Sequence, residues 1–534
     1  MSTTERRLLA REATISAAVA AGLAAVLVWV GPPGVDLAAH AYQRTFLLHN
    51  GFAVWNNFWY GGRYSFVTYS FLYYPLAVLF GIKALAVATI AAAALGFTLV
   101  VWREWGPVAR FSSRTFAVLW AGTVLSAAFP FALGAALALL SLSALQQGRR
   151  KIFAGLVILT LLASPLAFLL LALVLAGGML EHRPRRATVL VVLSAGAFEL
   201  LLRRLFPGQG RFPFSLADFV PGVAFAVLGI AVTIRVPRAR QLLGIFSVFL
   251  AAILLAFVIP SDLGANVERL KYAAIPIALL AVAIAPRRIL LAMALVAVAC
   301  FWNISALAHT AARASADPAH HAAYWAPAIR FLHANLSPSY RVEAIDTAEH
   351  WPAAYLPDAG IPIVRGWYRQ SDFPQNELLY DRVLTPKAYE AWLRAQGVRY
   401  VVLSDAPPDY SALNEAELVG SGHTSLVPVF RSAHVNVLEL PDPTPIITGS
   451  GDASILWMWP TQIVALVDAP GRYKVRVRWS PYWRASTGCV WRGSDGTLRL
   501  LAPRAGLVSL SVSVNVASGL EALAGRSPRR TCTK

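Results

Sequence analysis

Long apolar runs separated by short arginine clusters constrain the first 306 residues of this chain more than any other feature. A helix needs about 20 mostly apolar residues to cross the hydrocarbon core of a bilayer. The composition agrees with this pattern, because 57% of the residues are hydrophobic and only 14% are charged. Soluble domains, in contrast, are about one quarter charged. The sequence therefore predicts that lipid surrounds much of the chain.

The apolar runs predict about eleven membrane-spanning helices. Arginine and lysine gather in alternate gaps between the runs, as they do in the cytoplasmic loops of membrane proteins. With a cytoplasmic N-terminus, the segments 34–75, 203–219 and 261–271 fall outside, together with everything after residue 307. The predicted spans are residues 13–31, 76–102, 115–129, 131–147, 152–164, 166–180, 187–202, 220–234, 241–259, 272–286 and 289–306.

The net charge of +19 does not indicate a nucleic-acid partner, because much of the arginine lies in the clusters between apolar runs. The chain also lacks the motifs GxxxxGK[ST], GxSxG and HExxH, so it does not predict nucleotide-loop, serine-hydrolase or zinc-protease chemistry. Of the three cysteines, Cys300 falls in an apolar run. Cys489 and Cys532 lie in the tail, where an oxidising compartment would allow them to pair.

The residues after 307 are soluble in character. Helical spacing in APAIRFLHANL and PKAYEAWLRAQG, together with the strand-like RYVVLS and HVNVLEL, predicts an α/β domain over residues 307–443. Alternation with period two in KVRVRW and LVSLSVSV predicts a half-buried β-sandwich over residues 444–534. The predicted organisation is a transmembrane domain over residues 1–306, with an outer loop at 34–75, followed by two extracytoplasmic domains.

The first outer loop carries the main candidates for catalysis. Asp36, His40 and Arg44 stand at positions i, i+4 and i+8, so a helix would place them on one face. A carboxylate at the membrane boundary can act as a general base, which makes Asp36 the candidate base and His40 the group that orients it. An exposed acid–cation pair that performs no chemistry is the alternative, and it stays open.

Aromatic residues follow in the same loop. Trp55, Trp59 and Tyr60 would form a platform for a sugar ring or a polyprenyl chain, with Arg44 and Arg63 as further substrate contacts. An aromatic belt at the membrane interface would have the same composition without any ligand. Both interpretations stay open at this point.

Charged residues in or beside the spans are candidates for contacts with an anionic substrate. Glu199 lies inside a predicted span, where a carboxylate is costly and is a functional candidate by default, although a pair with Arg203 is the alternative. Arg203, Arg204, Arg269 and Lys271 place positive charge on the predicted outer side, against the positive-inside bias. Because arginine and lysine both bind phosphate, these four residues are candidates for the donor-phosphate site. Local acids and lipid headgroups are the alternative partners.

The pattern Asp-x-x-x-His in the first outer loop, then W-x-x-x-W-Y-x-G and an aromatic run into YYPL, resembles the GT-C superfamily of multi-spanning glycosyltransferases. The tail segments LTPKAYEAWLRAQGVRYVVLSDAP and VRVRWSPYW are similar to bacterial membrane proteins described as 6-pyruvoyl-tetrahydropterin synthase-related. The resemblance implies a lipid-phosphate-linked sugar donor, an acceptor on the outer face and a base at the position of Asp36. Many members carry paired acids in this loop, whereas Asp36 has no adjacent acid. This departure leaves the use of a divalent cation open.

We therefore predict a polytopic α-helical protein of the cell membrane, with a GT-C-like fold and C-terminal extracytoplasmic α/β and β-sandwich regions. The predicted function is transfer of a sugar from a polyprenyl-phosphate donor to an envelope glycan, lipid or protein acceptor. The predicted partners are membrane lipid, the donor and the acceptor, with no nucleic acid and no certain cofactor. Two alternatives stay open: a transporter or flippase of lipid-linked envelope precursors, and a non-enzymatic scaffold that binds envelope glycans.

Overall fold

The computed structural model describes residues 2–179, 186–208, 210–285, 288–381 and 383–525. The chain divides into two compact units. The first, here the helical unit, comprises Met1–Leu37, Tyr69–Leu201 and Gly210–Ser315. The second, here the tail unit, comprises Ala38–Thr68, Leu202–Gln209 and Ala316–Lys534. Most of the first outer loop, which the sequence assigns to the transmembrane domain, thus groups with the tail. Residue Cys532, the predicted partner of Cys489, lies outside the described residues.

Helices account for almost all regular structure before residue 316. They are α1 (Thr3–Trp29), α2 (Leu37–Asn50), α3 (Tyr73–Phe80), α4 (Ile82–Trp105), α5 (Arg110–Ala121), α6 (Phe129–Gln146), α7 (Arg150–Ala163), α8 (Pro165–Gly178), α9 (Arg186–Leu205), α10 (Leu216–Thr233), α11 (Arg240–Val258), α12 (Ala274–Ile284) and α13 (Ile289–Ala316). Two short strands, β1 (Trp55–Asn56) and β2 (Arg63–Tyr64), pair in antiparallel fashion between α2 and α3.

Within the described residues, six helical stretches are long and apolar enough to cross a membrane. The prediction of several apolar helices long enough to span a membrane is therefore confirmed, whereas the count of about eleven spans stays a prediction. Pro165–Gly178 is a shorter apolar helix. The six stretches are Thr3–Trp29, Ile82–Ser126, Phe129–Gln146, Leu216–Thr233, Pro237–Val258 and Ile289–Ser315.

Local sequence explains where these helices begin and end. The boundary between the predicted spans 152–164 and 166–180 is confirmed, because the Ser164 side chain accepts a hydrogen bond from the Ala167 N–H and Pro165 occupies the first helical position. Gly81 separates α3 from α4 with a φ of +77°, a conformation that side-chain-bearing residues rarely adopt. The predicted span 76–102 is therefore two helices.

Small residues allow close packing between helices of the helical unit. A Cβ atom on Gly244 of α11 would lie 2.0 Å from the carbonyl oxygen of Gly177 on α8. A Cβ atom on Gly134 of α6 would lie 2.6 Å from the Cβ of Ala167, also on α8. Both distances are far inside van der Waals contact, so only glycine fits. Close backbone approach of this kind holds helices together in lipid, where apolar surface alone supplies little driving force.

The tail unit continues with a mixed α/β part. Its helices are α14 (Ala322–Asn335), α15 (Pro352–Asp358), α16 (Pro386–Gln396) and α17 (Leu413–Gly420), and its strands are β3 (Arg341–Ala344), β4 (Val398–Ser404), β5 (Val427–Arg431) and β6 (Val435–Glu439). The sheet has the order β3-β4-β6-β5, with β3 parallel to β4 and the other pairs antiparallel. Tyr389, Leu393 and Val401 belong to the core beneath it.

Two four-stranded antiparallel sheets follow. Their orders are β12-β13-β10-β7 and β11-β14-β9-β8. The elements are β7 (Ile447–Gly449), β8 (Ala453–Met458), β9 (Gln462–Val467), β10 (Gly471–Arg478), β11 (Trp483–Ala485), β12 (Cys489–Arg492), β13 (Thr497–Ala502), β14 (Gly506–Val512) and the C-terminal helix α18 (Val516–Leu523). The strands predicted from KVRVRW and LVSLSVSV are confirmed as β10 and β14. In β10 Val475 and Val477 are buried, whereas Arg476 and Arg478 are half-buried.

Candidate functional site

An elongated cavity of about 610 Å³ lies inside the helical unit. On α6 its lining runs from Phe131 to Gln146, which corresponds to about 22 Å along the helix axis at 1.5 Å per residue. The lining positions Phe131, Ala135, Ala138, Leu142 and Leu145 repeat every three or four residues, so they form one stripe on one helix face. Parallel stripes on α4, α8 and α12 complete an apolar wall.

Polar groups stand at the two ends of this cavity. At one end the Arg269 guanidinium carbon lies 5.2 Å from the centre of the Phe131 ring. At the other end the Gln241 amide donates a 2.8 Å hydrogen bond to Glu104, and Gln146 is nearby in the lining. The cavity therefore combines a long apolar middle with Arg269 at one end and a mixed polar group, which includes Glu104 and Arg150, at the other.

Arg269 has little local compensation for its charge. Its Nε and Nη2 atoms each lie 3.4 Å from Asn266 Oδ1, which is long for a hydrogen bond. Among the described residues, no carboxylate forms an ion pair with it. A guanidinium that lines an apolar cavity without an acid partner suits an anionic group of a ligand.

Lys271, the neighbouring predicted phosphate ligand, is engaged with a buried acid. Its Nζ lies 3.8 Å from Glu268 Oε2, and its carbonyl oxygen accepts a 2.6 Å hydrogen bond from Asn303. Glu268 is 1% exposed, and neither carboxylate oxygen has a hydrogen-bond partner in the part of the chain that the structure describes. Burial raises the pKa of Glu268 to about 8, although Lys271 acts to lower it. Lys271 is not among the residues that line the cavity.

The backbone of Asp36 is tied to the segment before α6. Its N–H donates to the Ser126 carbonyl oxygen at 3.1 Å, and the Val35 N–H donates to Leu125 at 3.0 Å. Ser126 precedes Phe131, the ring that Arg269 contacts, by five residues. Asp36 is half-buried, and it is not among the residues that line the cavity. The single pocket expected to hold both Asp36 and the cations of 261–271 stays a prediction.

His40 and Arg44 lie on α2, which begins one residue after Asp36. His40 is fully buried, and its ring lies edge-on to Trp367 of the tail unit, with 5.6 Å between ring centres. Arg44 is half-buried. The assignment of His40 to orienting Asp36 stays a prediction.

The aromatic residues predicted as a platform in the first outer loop are buried. Trp55, Trp59 and Tyr60 are 2%, 0% and 3% exposed, so their faces are not available to stack on a sugar ring or a polyprenyl chain. The Trp59 indole N–H donates to the Ala353 carbonyl oxygen at 2.9 Å. The Tyr60 hydroxyl lies 2.7 Å from the carbonyl oxygens of Gly366 and Tyr368. These side chains join the loop to the α/β part.

Arg63, predicted as a substrate contact, lies beside the same joint. Its guanidinium carbon is 3.3 Å from the centre of the Tyr368 ring, a cation–π contact.

Glu199 is half-buried on α9, while Arg203 and Arg204 are exposed near the end of that helix. Arg203 and Arg204 belong to the tail unit and Arg269 to the helical unit, so the predicted phosphate ligands are distributed over both units.

A buried ion network fills the α/β part. Arg365 donates two hydrogen bonds to Asp372, at 3.2 and 3.0 Å. Arg369 contacts Asp346, His350 and Asp409, with its Nε 3.2 Å from Asp409. Although burial alone would raise it, the two guanidiniums hold the pKa of Asp372 below its usual value.

The same network contains a set of possible metal ligands. Ligand atoms of Asp346, His350 and Asp409 lie within 4.8 Å of one another. The guanidinium of Arg369 is in contact with all three residues, so the structure already supplies a cation there. The use of a divalent cation therefore gains no support from this cluster and stays open.

Comparison with known proteins gives no matching family model and no matching curated protein. Two solved structures of arabinofuranosyltransferase AftD from mycobacteria, both single-particle cryo-EM classes of a mutant, are similar to the chain. They are 18% and 17% identical with TM-scores of 0.45 and 0.43, over 97% and 96% of this chain. The chain spans only 42% of the length of each. At this identity and TM-score, function has to be argued from the chain's own residues.

Proposed function

We propose that this protein is a membrane glycosyltransferase that takes its sugar from a lipid-linked phosphate donor. The observation that supports this proposal is the long apolar cavity with Arg269 at one end. A polyprenyl phosphate has matching chemistry, because its chain is apolar along its length and its charge lies at one terminus. In this proposal the chain occupies the stripe on α6 and the phosphate pairs with Arg269.

The proposed reaction transfers a glycosyl group to a hydroxyl. The acceptor oxygen forms a bond to the anomeric carbon, while the bond from that carbon to the phosphate oxygen breaks and its electron pair leaves with the lipid phosphate. The hydroxyl proton goes to Asp36, the proposed base. Arg269 stabilises the charge that grows on the leaving phosphate, and such electrostatic stabilisation is often the largest catalytic effect.

The test is sugar transfer by the purified full chain in nanodiscs, supplied with radiolabelled polyprenyl-phosphate sugars and a panel of envelope acceptors. Asp36→Asn should abolish transfer while the thermal unfolding midpoint stays unchanged, since asparagine keeps the shape but cannot take the proton. Asp262→Asn is the matched control, because Asp262 is an exposed acid in the 261–271 segment. Undiminished transfer by Asp36→Asn would rule out the assigned base.

One observation favours the transporter alternative as a second candidate. The cavity has polar residues at both ends, Arg269 at one and Glu104 with Gln241 at the other, as a path for a lipid-linked headgroup would need. A fluorescent lipid-phosphate scrambling assay in vesicles separates the two functions. Scrambling without transfer from any labelled donor would replace the enzyme proposal with the transporter.

A further inference from the structure

Arg341, the first residue of β3, is a fully buried cation in the tail unit. Its Nη1 donates a 2.6 Å hydrogen bond to the Gln396 carbonyl oxygen. Its Nε and Nη2 have no hydrogen-bond partner within the residues that the structure describes. Nε and Nη2 form the parallel fork through which arginine binds a carboxylate or a phosphate with two bonds. The edge of Arg341 to which no described residue forms a hydrogen bond is therefore the edge suited to an oxyanion.

The charged groups that act on Arg341 have the same sign as Arg341 itself. Burial, together with the charges of Arg476 and Arg478 on β10, lowers the pKa of Arg341 to about 9. Arg476 donates to the neutral oxygens of Pro445 and Thr448, and its Nε has no partner among the described residues. Arg478 donates to the Ser371 carbonyl oxygen at 2.7 Å.

Other buried arginines of the tail unit are paired with acids. Arg365 lies 3.0 Å from Asp372, and Arg369 lies 3.2 Å from Asp409. A buried charge is costly unless it is paired and hydrogen-bonded. The fold meets this requirement at Arg365 and Arg369 with its own carboxylates, whereas no carboxylate among the described residues bonds the fork of Arg341.

A glycine turn brings the first outer loop to the same place. A Cβ atom on Gly61 would lie 3.5 Å from Arg341 Nη2 and 3.6 Å from the Arg476 carbonyl oxygen. The Gly61 carbonyl oxygen accepts a 2.7 Å hydrogen bond from the Arg478 N–H, and Gly61 has a φ of +63°. Three segments distant in sequence, namely β3, β10 and the 60–62 turn, therefore meet around the Arg341 guanidinium.

We propose that Arg341, together with Arg476 and Arg478, forms an internal binding site for a small oxyanion, either phosphate or a carboxylate. The oxyanion accepts the two parallel N–H groups of Arg341 and neutralises the surrounding arginines. It thereby holds the α/β part, the sandwich and the 60–62 turn together. The site is independent of the proposed sugar transfer.

The test uses the purified full chain, desalted into Tris-chloride. After denaturation, ion chromatography should find about one equivalent of phosphate or of a small carboxylate released, or the unfolding midpoint should rise with added inorganic phosphate or acetate at constant ionic strength. The anion that is released, or that raises the unfolding midpoint, is the one that binds. Arg341→Met should release no oxyanion, and its unfolding midpoint should not respond to added phosphate or acetate. Arg472 is an exposed arginine on β10, the strand that carries Arg476 and Arg478, so Arg472→Met should behave as wild type.

The proposal also predicts the sign of the stability change. In buffer with chloride as the only small anion, Arg341→Met should be at least as stable as wild type stripped of its oxyanion, because it removes a buried cation that has lost its partner. If Arg341→Met does not fold, the wild-type measurements alone decide. No released oxyanion and no midpoint response to phosphate or acetate would overturn the site, as would an unchanged response in Arg341→Met.

Discussion

Replacing Arg269 with glutamine should separate lipid-phosphate binding from folding. The side chain makes two long contacts to Asn266 at 3.4 Å and one cation–π contact to Phe131 at 5.2 Å. A cation–π contact contributes about 0.5–1 kcal/mol at an exposed site and more when desolvated, so the variant should lose about 1 kcal/mol of stability. A hydrogen bond to a charged group contributes about 1.5–3 kcal/mol. If Arg269→Gln removes such a bond to the phosphate, binding of a polyprenyl phosphate should weaken about 10- to 150-fold.

The assay is equilibrium binding of a labelled polyprenyl phosphate to the full chain in nanodiscs, measured beside a thermal unfolding curve. Arg235→Gln is the control, since Arg235 is exposed in the helical unit and does not line the cavity. If Arg269→Gln binds the lipid phosphate as tightly as wild type does, the assignment of the cavity to this ligand is refuted. If Arg235→Gln lowers the affinity as well, the effect comes from the overall positive charge of the protein and not from Arg269.

Three further substitutions test the physical account of the fold. Glu268→Gln should weaken the dependence of stability on pH. Because the folded-state pKa of Glu268 is about 8, the folded wild type keeps a proton on this carboxyl group at pH values where the unfolded chain has lost it. The wild type should lose roughly 2–4 kcal/mol between about pH 5 and pH 8, and calorimetry that shows no such loss would contradict the burial of this acid. Gly244→Val should destabilise by at least about 1–3 kcal/mol against a Gly155→Val control with open space around it, as measured by thermal unfolding. Arg365→Met should cost about 3–5 kcal/mol in chemical denaturation, since it leaves the buried Asp372 without its bidentate partner; a cost equal to that of Arg472→Met would show the network to be dispensable.

Local pattern was sufficient to predict many elements of this fold. The helix α16 lies where PKAYEAWLRAQG places it, and Gly397 ends that helix in the left-handed conformation. The strands β10 and β14 follow the period-two alternation of their sequences. These features depend on neighbours a few residues away, so a single sequence contains the information that sets them.

The roles of the aromatic residues depend on partners far along the chain. Trp59 donates to Ala353, which lies 294 residues later, and Tyr60 contacts Gly366 and Tyr368. A tryptophan in a loop beside a membrane span has the same letter whether it faces lipid, a sugar or the interior of another domain. The cavity could not be predicted from the sequence either, because alanine and leucine on α6 are as suitable for facing lipid as for lining an internal space.

Two of the substitutions above, taken together, distinguish the candidate functions more sharply than either alone. Arg269 lines the cavity and Asp36 does not, so the two residues should affect different steps. An enzyme predicts that Arg269→Gln weakens lipid-phosphate binding, while Asp36→Asn binds normally and transfers no sugar. A transporter that uses the same cavity predicts the first effect without the second, because no proton has to be taken from an acceptor hydroxyl. A scaffold that binds glycans through the tail predicts neither effect, since the helical unit would then serve only as an anchor.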